Sequence, residues 1–225
     1  MSNFYIVATP IGNLGDITFR AIDVLKSVDL ILCEDTRTTK NLLDKYNINV
    51  KTMSYHAQSK LSKADKIFEL LEEGKNLALV TDAGTPTISD PGSLLVSQIK
   101  EKFAEQVKII PIPGASALIT ALSASGVISH EFTFLGFLPH KKGRETLFKE
   151  IANSSRACVF YESPHRIMKT LESLEKFAPD KKVTIARELT KIYEQFISGN
   201  PKELILYFEN NKDKVRGEFV VMVGN

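Results

Sequence analysis

The chain alternates short runs of consecutive apolar residues with stretches of helical periodicity, and that alternation restricts it to a small set of folds. Phe4-Tyr5-Ile6-Val7-Ala8, Leu30-Ile31-Leu32-Cys33, Leu77-Ala78-Leu79-Val80 and Val107-Lys108-Ile109-Ile110-Pro111-Ile112 are continuous runs rather than in–out alternations. Such runs predict strands of a parallel sheet covered on both faces. Between them, Ile67, Phe68, Leu70 and Leu71 form an apolar stripe on a helix that Ser62 caps and Gly74 ends. Leu95, Ile99 and Phe103 share a face of the next helix. Strand–helix alternation of this kind predicts an α/β fold.

After Pro113-Gly114 the rhythm changes. A helix of small residues, Ala115 to about Ser125, leads through Gly126 into a second series of strands. These are expected over Phe132–Leu138, Ala157–Tyr161, Val183–Ala186, Leu204–Phe208 and Phe219–Val223. Only Asn210 to Gly217 separates the last two, which predicts an antiparallel pair. The reading is two α/β lobes, residues 1–114 with a mostly parallel sheet and residues 115–225 with a mixed sheet.

Composition sets outer limits. The 225 residues include 43% hydrophobic and 25% charged, enough for a sizeable core, and the net charge of +2 permits an anionic partner without requiring one. No apolar stretch approaches the ~18 residues that span a bilayer, and Met1-Ser2-Asn3-Phe4 lacks the charged start of a signal peptide. These features predict a cytoplasmic protein, with Cys33 and Cys158 as reduced core residues. The four histidines are scattered and neither cysteine has a partner at ligand spacing, so no metal is expected.

Three loops at strand ends share a grammar. Thr9-Pro10-Ile11-Gly12-Asn13-Leu14-Gly15-Asp16 follows the first strand, and Glu34-Asp35-Thr36-Arg37 the second, with Thr36 placed to cap a helix. Asp82-Ala83-Gly84-Thr85-Pro86-Thr87-Ile88-Ser89-Asp90-Pro91-Gly92 follows the third; Asp90 is placed to cap the next helix and Pro91 to open it. Loops beyond the carboxyl ends of parallel strands line the ligand crevice of such sheets. Neither a phosphate-binding G-x-x-x-x-G-K-[ST] nor a G-x-G-x-x-G occurs. Gly12 and Gly15, with Glu34 about twenty residues on, keep a dinucleotide fold as an alternative.

In the second half, Tyr161-Glu162-Ser163-Pro164-His165-Arg166 closes a strand, with Ser163 as cap and Pro164 in the first turn of a helix. Arg187-Glu188-Leu189-Thr190-Lys191 sets a dense polar run directly after another strand. His140-Lys141-Lys142-Gly143-Arg144 is a basic loop, read either as a solvated turn or as a grip on phosphates.

Taken in order, these segments resemble the ribosomal RNA small subunit methyltransferase I family of the tetrapyrrole methylase superfamily. Val7 to Thr18, Glu34-Asp35-Thr36-Arg37, Asp82 to Gly92 and Pro113-Gly114-Ala115-Ser116-Ala117 carry the resemblance through the first half. Gly136-Phe137-Leu138-Pro139, Tyr161 to Arg166, Arg187 to Lys191 and Gly217-Glu218-Phe219 continue it. It implies S-adenosylmethionine held in a cleft between two lobes, a homodimer, and methylation of the ribose 2′-hydroxyl of a cytidine in the decoding region of 16S ribosomal RNA within the small subunit. Matched position by position, the cofactor residues implied are Pro10, Gly84, Thr85, Pro86, Ile88, Ser89, Ala115, Ser116, Ala117, Tyr161 and Leu189. Thr85 stands where tetrapyrrole methylases carry an aspartate, which argues against a porphyrin-type substrate. Tyr55-His56-Ala57-Gln58 departs from the family's histidine-rich stretch, so His56 is assigned no role. The chain stops at Asn225, so the expected RNA surface excludes the C-terminal extension of many members.

A ribose hydroxyl benefits from a base as its proton leaves. The candidates are Lys191, placed first on the expectation of a depressed pKa among neighbouring cations, then Glu188 and Glu162. Arg37, Arg166 and Arg187, with Lys141, Lys142 and Arg144 of the basic loop, suit RNA phosphates. A small-molecule methylase of the same superfamily and a non-catalytic RNA-binding module are the alternatives.

Overall fold

The computed structural model describes residues 1–56, 61–127 and 130–224, with Leu61 and Ser62 described in backbone only. The Ser62 cap and the Ala57-Gln58 dipeptide therefore lie outside the described residues. The chain divides into two compact units, Met1–Ser116 and Ala117–Asn225.

The first unit runs β1 (Ser2–Val7), α1 (Phe19–Ser27), β2 (Leu30–Cys33), α2 (Thr36–Lys45), β3 (Thr52–Ser54), α3 (Leu61–Glu72), β4 (Leu77–Leu79), α4 (Ser93–Phe103) and β5 (Val107–Ile112). Its five strands lie in the order β3-β2-β4-β1-β5, and every pairing is parallel. The continuous apolar runs follow from burial on both faces. Leu77 and Leu79 pack with Phe4, Ile67, Leu95 and Ile99 in one cluster, while Ala78 and Val80 pack with Val7, Ile31, Ala21 and Leu25 in another.

Two helix starts differ from expectation. Asp35, not Thr36, caps α2, its carboxylate accepting from the Arg37 amide at 2.8 Å. Asp90 and Pro91 do not open α4; the helix begins at Ser93 behind Gly92, which has φ 122° and no side-chain cap. A Cβ at residue 92 would stand 2.6 Å from Leu79 Cδ2, so the chain must clear the end of β4 in a glycine conformation before it can coil. The free loop is therefore longer than expected, Val80 to Gly92.

The second unit runs α5 (Ala117–Ala124), β6 (Phe132–Phe137), α6 (Arg144–Asn153), β7 (Ala157–Glu162), α7 (Ile167–Phe177), β8 (Val183–Arg187), β9 (Gln195–Gly199), α8 (Pro201–Asn210) and β10 (Phe219–Val223). The sheet order is β6-β7-β10-β8-β9. It is mixed: β6 and β7 are parallel, while β10 runs antiparallel to both its neighbours. Leu204–Phe208 is not a strand but the middle of α8. Asn200 and Glu203 form a reciprocal capping box, Pro201 opens the helix, and Leu204 and Phe208 bury one face at a spacing of four. The antiparallel pair expected of 204–208 with 219–223 is thereby replaced by insertion of β10 between β7 and β8.

Cys33 and Cys158 are buried free thiols. Among the described residues no helix is long and apolar enough to cross a membrane, and no group of three acidic, histidine or cysteine side chains is placed to hold a metal.

Gly92→Ala is expected to lose about 2 kcal/mol, or roughly 4–8 °C of Tm for a chain of this size. Thermal unfolding followed by circular dichroism checks this; an unchanged Tm would show that the turn does not need glycine.

Candidate functional site

In the first unit the loops leaving β1, β4 and β5 are joined by hydrogen bonds. Thr9 and Gly84 exchange backbone bonds of 2.9 and 3.0 Å in an antiparallel bridge, and Thr9 Oγ1 donates to Thr81 O at 3.0 Å. Thr85 Oγ1 donates to Ala115 O at 3.1 Å. The expected cofactor residues Pro10, Gly84, Thr85, Ala115 and Ser116 are thus brought onto one loop cluster. Pro86 is buried, whereas Ile88 and Ser89 are exposed. Thr87 and Ser89 have φ values of 74° and 65°, in the left-handed region that is uncommon for residues with a Cβ.

Beside this cluster stand three acids that the sequence reading did not combine. Thr81 Oγ1 donates to Glu34 Oε2 at 3.3 Å, and the Asp35 amide donates to Asp82 Oδ1 at 3.1 Å. Burial, then the charges of Glu34 and Asp82, push the Asp90 carboxyl up to about 6 against the opposing Thr81 hydroxyl. The available signal was positional, since Glu34 follows β2 directly and Asp82 lies three residues past the end of β4.

The other cofactor residues expected lie in the second unit. Ala117 opens α5, and the Tyr161 hydroxyl accepts from the Leu118 amide at 3.2 Å, tying β7 to α5. Leu189 is buried in the turn after β8.

That turn corrects the expectation for Lys191. Carboxylates flank it: its Nζ lies 2.9 Å from Glu188 Oε1 and 2.8 Å from Glu218 Oε2. Burial alone would depress the ammonium, but the bonds from Glu218 and Glu188 outweigh it and raise its pKa. Glu188 moves the opposite way. Burial pushes it up, yet Lys191 and the Glu218 amide hold it below the usual range. Glu188 and Thr190 have φ values of 51° and 65°. Glu188 fits there because Gly217 has no side chain; a Cβ at 217 would overlap its carboxyl group. The Thr190 hydroxyl is buried and has no hydrogen-bond partner among the described residues.

Glu162, the third base candidate, has a side chain with 0% exposure. It accepts from the Ser163 amide at 2.9 Å and from Thr170 Oγ1 at 2.6 Å, and Arg166 Nη2 donates to it at 3.1 Å. Arg166 Nε also approaches Glu162 Oε1 to 2.8 Å, without the alignment of a hydrogen bond. Ser163 does not cap α7 with its side chain; its carbonyl closes a turn, accepting from the Arg166 and Ile167 amides.

The expected RNA contacts divide. Arg37, Lys141 and Lys142 are exposed, Arg37 paired with Asp35 at 2.6 Å. Arg144 is instead the buried first residue of α6, only 9% exposed, donating to Thr170 Oγ1 and Pro139 O and lying over the Phe148 ring. Arg187 is buried too, donating to Arg216 O and Tyr193 O. Arg166 is mostly buried against Glu162. These three are scaffold cations, because each donates at least two hydrogen bonds to internal acceptors.

The raised Asp90 gives a pH signature. An acid whose folded pKa exceeds its ordinary 3.8 adds stability below that value and loses it as pH rises through about 6. Asp90→Asn is therefore expected to raise Tm at pH 8, by about 2–4 °C if the effect is near 1 kcal/mol, and to leave it unchanged near pH 4. Melting curves at the two pH values check this, and an equal shift at both would show that Asp90 does not titrate between them.

Comparison with known proteins places this geometry. A family model described as Tetrapyrrole (Corrin/Porphyrin) Methylases matches residues 3–205. A protein of Vibrio cholerae named ribosomal RNA small subunit methyltransferase I is 50% identical over 222 residues, which is 97% of this chain and 76% of that one. The protein of the same name from Bacillus subtilis is 46% identical over 224 residues, 99% of this chain and 75% of that one. Its Thermotoga maritima counterpart is 44% identical over 223 residues, 99% of this chain and 98% of that one. Among solved structures, the cobalamin biosynthetic cobalt precorrin-4 methyltransferase CbiF superposes with a TM-score of 0.72 at 16% identity, over 99% of this chain and 94% of that one. Uroporphyrin-III-C-methyltransferase from Thermus thermophilus does so with a TM-score of 0.67 at 16% identity, again over 99% and 94%. The solved structures establish the fold alone, whereas the family model and the near-complete relatives establish descent: the chain belongs to the tetrapyrrole methylase family, with the members named ribosomal RNA small subunit methyltransferase I.

Proposed function

We propose that this chain transfers a methyl group from S-adenosylmethionine to the ribose 2′-hydroxyl of a cytidine in the decoding region of 16S ribosomal RNA. We place it in the cytoplasm, acting as a homodimer on the small ribosomal subunit. The observation that carries the reading is identity of 44–50% with relatives of that name along 97–99% of the chain.

The residues present fit the cofactor. The cluster around Thr9 and Gly84 offers hydroxyls, backbone groups and apolar side chains with no cation among the residues assigned to it, and three acids adjoin it. That balance favours a ligand that is a polar nucleoside at one end and a sulfonium at the other. Pro10, Gly84, Thr85, Pro86, Ile88, Ser89, Ala115 and Ser116 of the first unit would hold it. When bound, it supplies a methyl carbon open to in-line displacement.

The protein's part is to align the hydroxyl with that carbon and to take up the proton. Lys191 serves as a cation: two carboxylates keep it protonated, and it fixes Glu188 in place. Glu188 is held below the usual carboxylate range by Lys191 and the Glu218 amide, which keeps it in the ionised form a base requires. Glu162 is enclosed by its partners and does not reach substrate. Arg37, Lys141 and Lys142 are the cations left exposed for RNA phosphates.

Incubation with labelled S-adenosylmethionine and unmodified small subunits, followed by nucleoside analysis, is expected to place label on a cytidine 2′-oxygen. Label on a tetrapyrrole, or tight RNA binding without label, would replace this reading with one of the two alternatives. Thr85→Arg is expected to abolish cofactor binding in calorimetry, and unchanged affinity would move the site elsewhere. Lys191→Arg should keep most of the turnover while Lys191→Met loses about tenfold, the order of one charge-assisted contact. Equal loss in both would restore lysine as the base.

A further inference from the structure

Glu162 is the hub of a buried network that reaches one exposed loop from three sides. Its carboxylate is shielded from water and held by the Ser163 amide, Thr170 Oγ1 and Arg166. From Arg166, Nη2 donates to Leu138 O at 2.7 Å and Nη1 meets His140 Nε2 at 3.1 Å. A guanidinium only donates, so in this contact His140 Nε2 is the accepting atom. From Thr170, the hydroxyl gives its proton to Glu162 and accepts from Arg144 Nη2 at 2.8 Å. Arg144 Nη1 then donates to Pro139 O at 3.2 Å, and the Arg144 amide to Lys141 O at 3.2 Å.

The network's side chains thus grip Leu138, Pro139 and His140, the residues that lead directly into Lys141 and Lys142, and those two are the exposed cations this grip presents. The two arginines cannot lie buried beside each other without a counter-charge, and among the described residues Glu162 is the carboxylate bonded into the network. Removing its charge would leave Arg144 and Arg166 repelling one another across the base of the loop.

We infer that Glu162 is a positioning residue for RNA: through Arg166 and the Thr170–Arg144 relay it sets the loop that carries Lys141 and Lys142. The inference rests on the RNA-methylation reading and assigns Glu162 to substrate binding rather than to proton transfer. Its effect belongs in KM for the small subunit and not in kcat.

The test is a mutant cycle on methylation of small subunits, with cofactor affinity measured alongside. Glu162→Gln is expected to raise KM about tenfold and leave kcat within about twofold, with unchanged affinity for S-adenosylmethionine. The double variant Lys141→Ala/Lys142→Ala should raise KM similarly. Adding Glu162→Gln to that double variant should change KM no further, because residues acting as one unit are not additive. If Glu162→Gln does not fold, Thr170→Val interrupts the same relay at nearly constant volume and replaces it in the cycle. Additive KM effects would overturn the inference, and a fall in kcat at saturating subunit would return Glu162 to the chemistry. A wild-type enzyme that methylates no subunit RNA would overturn the functional reading itself, an outcome seen before any variant is compared.

Discussion

The exchange of backbone hydrogen bonds between Thr9 and Gly84 organises the first unit's loops. Up to Ile6 and Leu79, β1 and β4 run parallel, and a parallel ladder has no means of continuing once its strands end. The loop after β4 solves this by turning back, so that Gly84 meets Thr9 in antiparallel register. Loop backbone that would otherwise need water is paired, and two separate strand exits become one surface. Gly84, Thr85 and Pro86 take their place from that bridge, and the Thr85 hydroxyl extends it to Ala115. The length of the loop has a different origin, in the end of β4, where Leu79 denies residue 92 a side chain and delays α4.

Charge in the second unit is organised by burial rather than by number. Six cations were candidates for RNA, five in this unit and Arg37 in the first, and burial separates them into two groups with different physics. Arg144, Arg166 and Arg187 have donors committed to carbonyls, a hydroxyl and a carboxylate away from water, where breaking one bond leaves a charge stranded. Lys141 and Lys142 keep their charge in water, and Arg37 shares its own with Asp35 at the surface, where pairing costs little to exchange. A phosphate backbone can recruit the second group and cannot recruit the first.

Much of this architecture was readable because burial on both faces writes an unambiguous pattern. The four continuous runs of the first unit became four parallel strands, and Leu95, Ile99 and Phe103 became the buried face of α4. Leu204–Phe208 misled because five apolar residues satisfy either period, and the deciding features, Asn200, Pro201 and Glu203, lie just ahead of the run. Strands β3 and β9 escaped notice as short, partly polar sheet edges with little hydrophobic pattern to display. Helix caps failed for a related reason: Asp35 against Thr36, or Gly92 against Asp90, is settled by local backbone angles that composition does not encode.

Charge states were the least readable property, and Lys191 shows why. In sequence its neighbourhood looks cationic, with Arg187 four residues back, and a depressed pKa follows from that view. In space Arg187 turns inward to Arg216 O and Tyr193 O, while Glu218, twenty-seven residues on, arrives beside the ammonium. Gly217 makes that arrival possible, since only a residue without a side chain leaves room for Glu188 to reach Lys191 from the other side. A glycine with no charge of its own thus lets a second carboxylate stand beside the lysine and add to the upward shift of its pKa. The Gly217-Glu218-Phe219 and Arg187-to-Lys191 motifs, far apart in sequence, are therefore two halves of one electrostatic unit.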